Sequence, residues 1–164
     1  MANTKVFTGA DGSITLSPAQ GAEGTAAEGV INDFEVLTVG RVQNVRVEVH
    51  SDVKPYHEIG QRYATELRPG NVTVRGTIGR AYVNGAILRL LLGEAADQRP
   101  GNSWVQPAFN ITLLVENPAN PGVRSTMTLN DVKIEGWSWS MPEDDFVMES
   151  LSYQALYITI GDEG

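Results

Sequence analysis

The sequence predicts a mainly β protein, an antiparallel β-barrel or sandwich with one short α-helix. Long segments alternate strictly between apolar and polar residues, which is the pattern of strands with one dry and one wet face. Seventeen glycines and eight prolines among 164 residues supply the turns that such a fold needs. Only residues 84–93 combine helical apolar spacing with a cap and a stop.

Composition narrows the class of protein. The length suits a single domain over residues 1–164, and 41% hydrophobic with 20% charged residues is an ordinary globular balance. The absence of cysteine excludes a disulfide framework and thiolate zinc sites. A net charge of −8, without a cluster of basic residues, argues against binding to duplex nucleic acid. No apolar run is long enough for a membrane or a signal peptide, so we expect no membrane partner and a cytoplasm-like compartment.

The first third of the chain predicts a hairpin and a loop. Apolar stretches at 5–8 and 13–17 flank Asp11-Gly12, a strong hairpin turn signal. Residues 17–29 consist mainly of Gly, Ala and Glu, which predicts a flexible surface loop.

Two long strands should follow, at 36–50 and 70–80. In the first, Val45, Val47 and Val49 alternate with polar neighbours; the second repeats the pattern. The connection at 51–70 is longer than most loops in compact domains, and it carries apolar and aromatic residues that a disordered loop rarely has. We therefore expect a functional contact loop there.

The predicted helix begins after Asn84 and ends at Gly93. Its apolar stripe consists of Ile87, Leu88, Leu91 and Leu92, widened by Leu90. Two turns are too short to be stable in isolation, so this helix should lie against a sheet.

The C-terminal half predicts further strands and a change of buried face. Val132 and Ile134 are apolar at even positions, whereas Trp137 and Trp139 are apolar at odd positions, so a β-bulge or bend is expected at Gly136. Residues 145–161 predict a long strand or strand pair that is apolar on both faces. Such a strand needs a second cover, either a partner copy or simply the other sheet of a sandwich.

No motif indicates catalysis, a metal or a cofactor. Glu143, Asp144 and Asp145 are adjacent beside a proline, which predicts a solvated turn rather than converging carboxylates. His50 and His57 match no metal-ligand spacing. A small hydrolase using one of these histidines remains a rival hypothesis, because catalytic triads are recognised by geometry rather than by spacing.

Two stretches carry a resemblance. "VTVRGTIGRAYVNGAILRLLLGE" and "MTLNDVKIEGWSWSMPEDDFVMESLSYQALYITIGD", with "FNITLLVEN" between them, resemble the tail tube proteins of tailed bacteriophages and the related tubes of contractile injection systems. The resemblance covers roughly residues 30–162 and rests on the pattern of apolar positions rather than on one diagnostic motif. Residues 17–29 have no counterpart in it.

The resemblance implies a structural protein of the virion tail, assembled in the bacterial host cytoplasm. Six copies would form a ring, each lending four strands (36–50, 70–80, 109–116 and 125–136) to a closed inner barrel. Rings would stack into a hollow tube for DNA ejection into the host. The implied partners are further copies, sheath, baseplate and terminator proteins, with tape measure protein or DNA in the lumen without specific binding.

Three sets of residues receive roles from this assembly. The lumen-facing set is Arg46, Glu48, Thr73, Arg75, Asn110, Thr112, Glu116, Lys133 and Glu135. The inter-ring set is Lys54, Tyr56, His57, Glu58, Arg62 and Tyr63. The core or subunit-interface set is Trp137, Trp139, Phe146, Tyr153 and Tyr157.

Two other functions remain open from the sequence. One is a tube protein of a contractile injection system or tailocin, which the same resemblance allows. The other is a monomeric β-sandwich that binds carbohydrate through Trp137 and Trp139. A tube protein should form rings, whereas the binding module should be a monomer.

Overall fold

The computed structural model describes residues 4–163 and confirms the mainly β fold. Seven antiparallel strands and two short α-helices follow in the order β1 (Gly12–Pro18), α1 (Gly21–Asp33), β2 (Val42–Tyr56), β3 (Glu66–Ala81), α2 (Ala86–Leu92), β4 (Phe109–Glu116), β5 (Arg124–Ser140), β6 (Met148–Ala155) and β7 (Tyr157–Glu163). Single 3₁₀ turns lie at Gly9–Asp11 and Gly93–Ala96.

The strands form one curled sheet, a half-barrel, in the order β1-β4-β5-β6-β3-β2, with β7 also paired to β5. The long strand β5 belongs to both halves. Its N-terminal part pairs with β4 and β7, and its C-terminal part pairs with β6. We refer to the two halves of this curled sheet by separate names. The first sheet is the half with β1, β4, β7 and the first part of β5, and the second sheet is the half with β2, β3, β6 and the second part of β5.

The bend in β5 turns one half onto the other. Asp131 has a positive φ of 52°, and the pairing with β6 shifts register between Ile134 and Gly136. This confirms the bulge expected at Gly136, where a Cβ would lie 2.7 Å from the Ser152 hydroxyl oxygen. The extra residue moves the core-facing side chains from even to odd positions.

The core lies between the two halves and is closed by the helices. Each sheet turns its apolar side chains inward, because alternate residues of a strand share one face. The buried residues include Ile14, Leu16, Ile111 and Leu129 from the first sheet, Val74, Ile78, Leu151 and Tyr153 from the second, and Ala27, Ile31, Ile87 and Leu90 from the helices.

The prediction of a flexible loop at 17–29 is wrong, because most of these residues lie in α1. Ala27 and Ile31 are buried, and a Cβ at Gly24 would collide with the Ala19 backbone. Small residues let this helix approach its neighbours closely. Its apolar face consists mostly of alanine and glycine. The two faces of the helix therefore differ little in hydrophobicity, and the sequence shows no clear helical periodicity there.

The prediction of an N-terminal hairpin is also wrong, because residues 5–8 form no strand and β1 pairs with β4 instead. The Asp11 carboxylate accepts hydrogen bonds from the Thr8 backbone N–H (3.1 Å) and hydroxyl (3.3 Å). This reciprocal cap turns the chain through a 3₁₀ turn rather than through a two-residue hairpin loop.

The contact loop expected at 51–70 is mostly strand. β2 and β3 remain paired as far as Tyr56 and Glu66, so only residues 57–65 connect them. The prediction missed this extension because a register shift between Ser51 and Val53 interrupts the alternation. The chain therefore carries a long two-stranded projection in place of an irregular loop.

The second helix, α2, lies where the sequence placed its single helix, and Gly93 ends it with a φ of 60°. Its buried residues are Ala86, Ile87 and Leu90, so the buried stripe is rotated from the predicted one.

The final segment is a strand pair that breaks at Leu156. Before the break, Leu151 and Tyr153 face the core while Ser150 and Ser152 face away. At the break the apolar residues change from odd to even positions. The sequence therefore looks like one strand that is apolar on both faces. β6 and β7 instead follow each other along the same long strand β5.

Candidate assembly interface

The second sheet turns a polar face away from the core. Glu48, Arg75, Gln154 and Lys133 are successive cross-strand partners on β2, β3, β6 and β5. Six of the nine residues expected in the lumen belong to these strands and alternate with core-facing neighbours: Arg46, Glu48, Thr73, Arg75, Lys133 and Glu135. The structure thus brings these six together.

Charges on this polar face are largely paired. Glu48 contacts Arg46 and lies 3.8 Å from Nε of Arg75. The Gln154 side-chain amide donates to the Glu135 carboxylate at 2.7 Å. Lys133 Nζ lies 3.0 Å from the carboxylate of Glu23 on α1. Exposed pairs of this kind add little stability, but they leave the face close to electrically neutral.

Three expected lumen residues lie elsewhere. Asn110, Thr112 and Glu116 are on β4, in the first sheet, so they do not share a face with the other six. Asn110 supports the bend of β5, because its side-chain oxygen accepts a hydrogen bond from the Asp131 backbone N–H at 3.0 Å.

Hydroxyl residues on the polar face were missed. Thr77 on β3 and Ser150 and Ser152 on β6 complete the rows between the charged residues. Their alternation with Leu151 and Tyr153 was a usable signal. It is obscured in the sequence because the apolar residues that follow, Leu156, Ile158 and Ile160, have the opposite parity.

The second sheet has two free edges. β2 pairs only with β3, and the part of β5 from Lys133 to Ser140 pairs only with β6, as far as residues 4–163 show. β4 reaches no further along β5 than Val132. Unpaired backbone N–H and C=O groups along such edges are templates for another strand.

The projection at residues 49–72, here called the arm, consists of the ends of β2 and β3 and their connection. Beyond Val74, β3 leaves β6, so the arm is a two-stranded ribbon without a third strand. The residues expected to contact a neighbouring ring all lie on it and are exposed: Lys54, Tyr56, His57, Glu58, Arg62 and Tyr63. Apolar side chains on the arm are exposed too: Val49, Val53, Tyr56, Ile59, Tyr63, Leu67 and Val72.

The five aromatic residues expected in the core or an interface divide into two groups. Tyr153 is fully buried, and Trp137 is partly buried with its indole N–H donating to Glu149 at 2.9 Å. Trp139, Phe146 and Tyr157 are exposed, and Trp139 meets Tyr82 edge-to-face with 5.8 Å between ring centroids. The exposed group would need a partner surface to be buried.

Tyr153 links the core to the free edge strand. Its hydroxyl donates to the Arg46 carbonyl on β2 at 3.0 Å, passing beneath β3 at Gly76. A Cβ at Gly76 would lie 2.5 Å from that hydroxyl oxygen. Burial raises the pKa of Tyr153 to about 12, because the phenolate would lose its hydration.

A buried ion pair that sequence reasoning missed joins β3 to β6. Arg80 and Glu149 are direct cross-strand partners, and Nε of Arg80 lies 2.7 Å from the Glu149 carboxylate. Both residues are only 3% exposed. The sequence does carry a signal for the burial of Arg80. Arg80 is at an even position like Val74 and Ile78, so its side chain lies on the same, core-facing side of β3.

The three adjacent carboxylates and the possible metal ligands of the chain lie within the described residues. Glu143, Asp144 and Asp145 are exposed in the bend between β5 and β6. Across residues 4–163 no cluster of three or more His, Asp or Glu side chains could hold a metal ion. In the same part of the chain no helix has the length and hydropathy to cross a membrane.

Comparison with solved structures places this fold among tube proteins. A chain of the sheath–tube complex of the extracellular contractile injection system PVC, in its extended state, aligns with a TM-score of 0.63 at 11% identity, over 97% of this chain and 93% of its own. A chain of the anti-feeding prophage cap, which terminates the AFP tube, gives 0.66 at 11% identity, over 99% and 95%. The SPP1 tail tube gives 0.59 at 13% identity, over 96% and 80%.

The protein therefore has the fold of tail tube proteins from phages and contractile injection systems. No protein-family model and no curated protein sequence matches the chain.

Proposed function

We propose that this protein is the structural subunit of a phage tail tube, built from stacked hexameric rings and used as a conduit for DNA ejection. The observation that carries the proposal is the second sheet, which combines two free edges with a polar face turned away from the core. The likeness of fold to tube proteins supports the same role.

Ring formation follows from the two free edges. β2 lies at one side of the second sheet and the end of β5 at the other, so each edge of one copy can pair with the opposite edge of the next. This head-to-tail contact closes into a ring when the rotation per copy allows it. Six four-stranded sheets give about 24 strands, more than the 16–18 that leave an aqueous channel.

The polar face of the second sheet then lines the channel. Its balanced charges and hydroxyl groups present no concentrated cationic surface that would hold the phosphates of a passing duplex. Asn110, Thr112 and Glu116 lie on the outer part of the subunit in this arrangement, and the role is structural rather than enzymatic.

The arm makes the contacts between rings. A two-stranded ribbon is marginally stable in water, and its apolar side chains need cover. Sheath, baseplate and terminator proteins are the expected outer and end partners, in a virion tail assembled in the bacterial cytoplasm.

A tube of a contractile injection system or tailocin is the second candidate. Chains from PVC and AFP assemblies align over nearly the whole length of both partners, which favours this alternative. The carbohydrate-binding reading has less support, because Trp137 is packed and bonded to Glu149 and does not form an open platform with Trp139.

Electron microscopy and light scattering of the purified protein test the proposal. Negative-stain images should show rings or tubes with six-fold class averages, formed without any cofactor. A protein that stays monomeric from micromolar to millimolar concentration, at low and high salt, would contradict it.

A further inference from the structure

A cleft opens between the two sheets on the side where the curled sheet does not close. β1 and β2 stand at opposite ends of the strand order, and residues 37–39, which precede β2 in the chain, lie along β1. The Leu16 N–H donates to the Leu37 carbonyl (2.8 Å) and the Val39 N–H to the Ile14 carbonyl (3.0 Å). Beyond these bonds lies a cleft with a volume of about 570 Å³.

The cleft is mainly apolar and has a cation at its mouth. Its apolar lining includes Ile14, Val42, Val45, Val47, Leu113, Val115 and Met127. Among the described lining residues, Arg41 is the one ionisable side chain. The volume falls in the range of binding pockets, roughly 300–1,000 Å³, so one or two bulky side chains can enter it.

The tip of the arm exposes the kind of side chain that such a cleft takes. The Gln61 N–H donates to the Glu58 carbonyl at 3.1 Å, and Gly60 has a φ of 89°, which the turn requires. Ile59 at the apex is fully exposed, and Tyr63 is 88% exposed. Nothing in turn chemistry favours a β-branched apolar residue at that apex.

We propose that the tip of the arm of one copy inserts Ile59 and Tyr63 into this cleft on a second copy in the neighbouring ring. The inference rests on the proposed tube and specifies the docking site between its rings. A copy cannot fill its own cleft, because β2 runs nine residues from the cleft wall at Val47 to Tyr56, roughly 30 Å.

Charge complementarity supports this pairing. Glu58, next to Ile59, accepts a hydrogen bond from the Thr65 hydroxyl at 3.3 Å and keeps its charge exposed. Arg41 is exposed at the cleft mouth, and no carboxylate within residues 4–163 forms an ion pair with it. Docking brings the two charges together. A contact between unlike surfaces that does not close on itself extends copy by copy along an axis.

Disulfide trapping tests the contact directly, because the chain contains no cysteine. In the double variant Ile59→Cys/Ser13→Cys, a cysteine at the tip meets one at the cleft. Oxidised assemblies should give a ladder of covalently linked subunits on a non-reducing gel. The matched control is Ile59→Cys/Ser103→Cys, whose second site is exposed and outside the cleft, and it should give no ladder.

The outcomes separate this inference from the proposed function. Tubes that assemble without a ladder in the test pair, or with equal ladders in both pairs, overturn the docking site and leave the tube intact. Cross-linked dimers from Ser13→Cys alone place two clefts against each other and also overturn it. A wild-type protein that forms no rings removes the proposed function itself.

A second pair of variants probes the same contact without cross-linking. Ile59→Asp should leave rings and reduce mean tube length at least tenfold, because a carboxylate cannot enter the apolar cleft. Gln61→Asp, in the same turn, should leave tube length unchanged. Tubes of normal length from Ile59→Asp would overturn the proposal.

Discussion

Arg80 and Glu149 form an ion pair inside the protein, with 2.7 Å between Nε and the carboxylate and both side chains almost completely buried. The pair ties β3 to β6, the two central strands of the second sheet. The indole N–H of Trp137 gives the same carboxylate another donor.

Removing one partner of this pair should be costly. Glu149→Ala leaves the Arg80 guanidinium buried without its counter-charge, so we expect a loss of about 3–5 kcal/mol in the free energy of unfolding. The double variant Arg80→Met/Glu149→Leu should lose much less, since neither charge remains. Urea denaturation of the unassembled protein measures both, and equal losses in the two variants would contradict this account.

Tyr153 should make stability fall at alkaline pH. Its folded pKa is about 12 against about 10 in an unfolded chain, so its contribution is complete below pH 10 and is lost as pH rises towards 12. The difference between a pKa of 10 and one of about 12 corresponds to roughly 2.7 kcal/mol in the free energy of unfolding. Denaturant titrations at pH 9 and pH 11.5 should show a steeper loss in wild type than in Tyr153→Phe, and parallel losses would argue against it.

Shortening the arm should separate folding from stacking. Deleting residues 58–63 removes the tip of the arm. The strand pairings of the second sheet are all kept, because none of them involves these residues. We expect thermal unfolding within a few degrees of wild type, ring formation, and loss of long tubes by electron microscopy. Normal tube length in this variant would show that the arm does not join rings.

Charge reversal should identify the channel wall. Glu48→Lys adds a cation and leaves Arg46 and Arg75 without their shared carboxylate, so tubes should bind duplex DNA at low salt and eject it slowly. Wild-type tubes should bind negligibly. Glu116→Lys is the matched control, because Glu116 lies on the first sheet, and it should behave as wild type. DNA binding by the Glu116 variant alone would place the other face in the channel.

The three carboxylates at 143–145 should be dispensable. They are exposed in a bend, so conversion of each to its amide should change the free energy of unfolding by within about 1 kcal/mol. Loss of a hydrolytic activity in any of the three amide variants would refute the non-enzymatic assignment.

Local chemistry was enough to predict several elements. The alternation around Val45 and Val47, the Gly93 stop of α2 and the change of parity at Gly136 each depend on residues close in sequence. Periodicity and backbone preference act over a few residues, so the strand, the helix end and the bulge could be predicted without knowing their neighbours.

The sequence alone determined a mainly β chain with strongly two-faced strands, because side-chain alternation is written into the order of residues. Only the tertiary structure decided which faces are shared. It separated Asn110, Thr112 and Glu116 from the other polar positions, paired Arg80 with Glu149 and packed the alanine-rich α1 into the core. These outcomes depend on which strands become neighbours, a long-range choice made by packing of the whole core, and no local pattern encodes it.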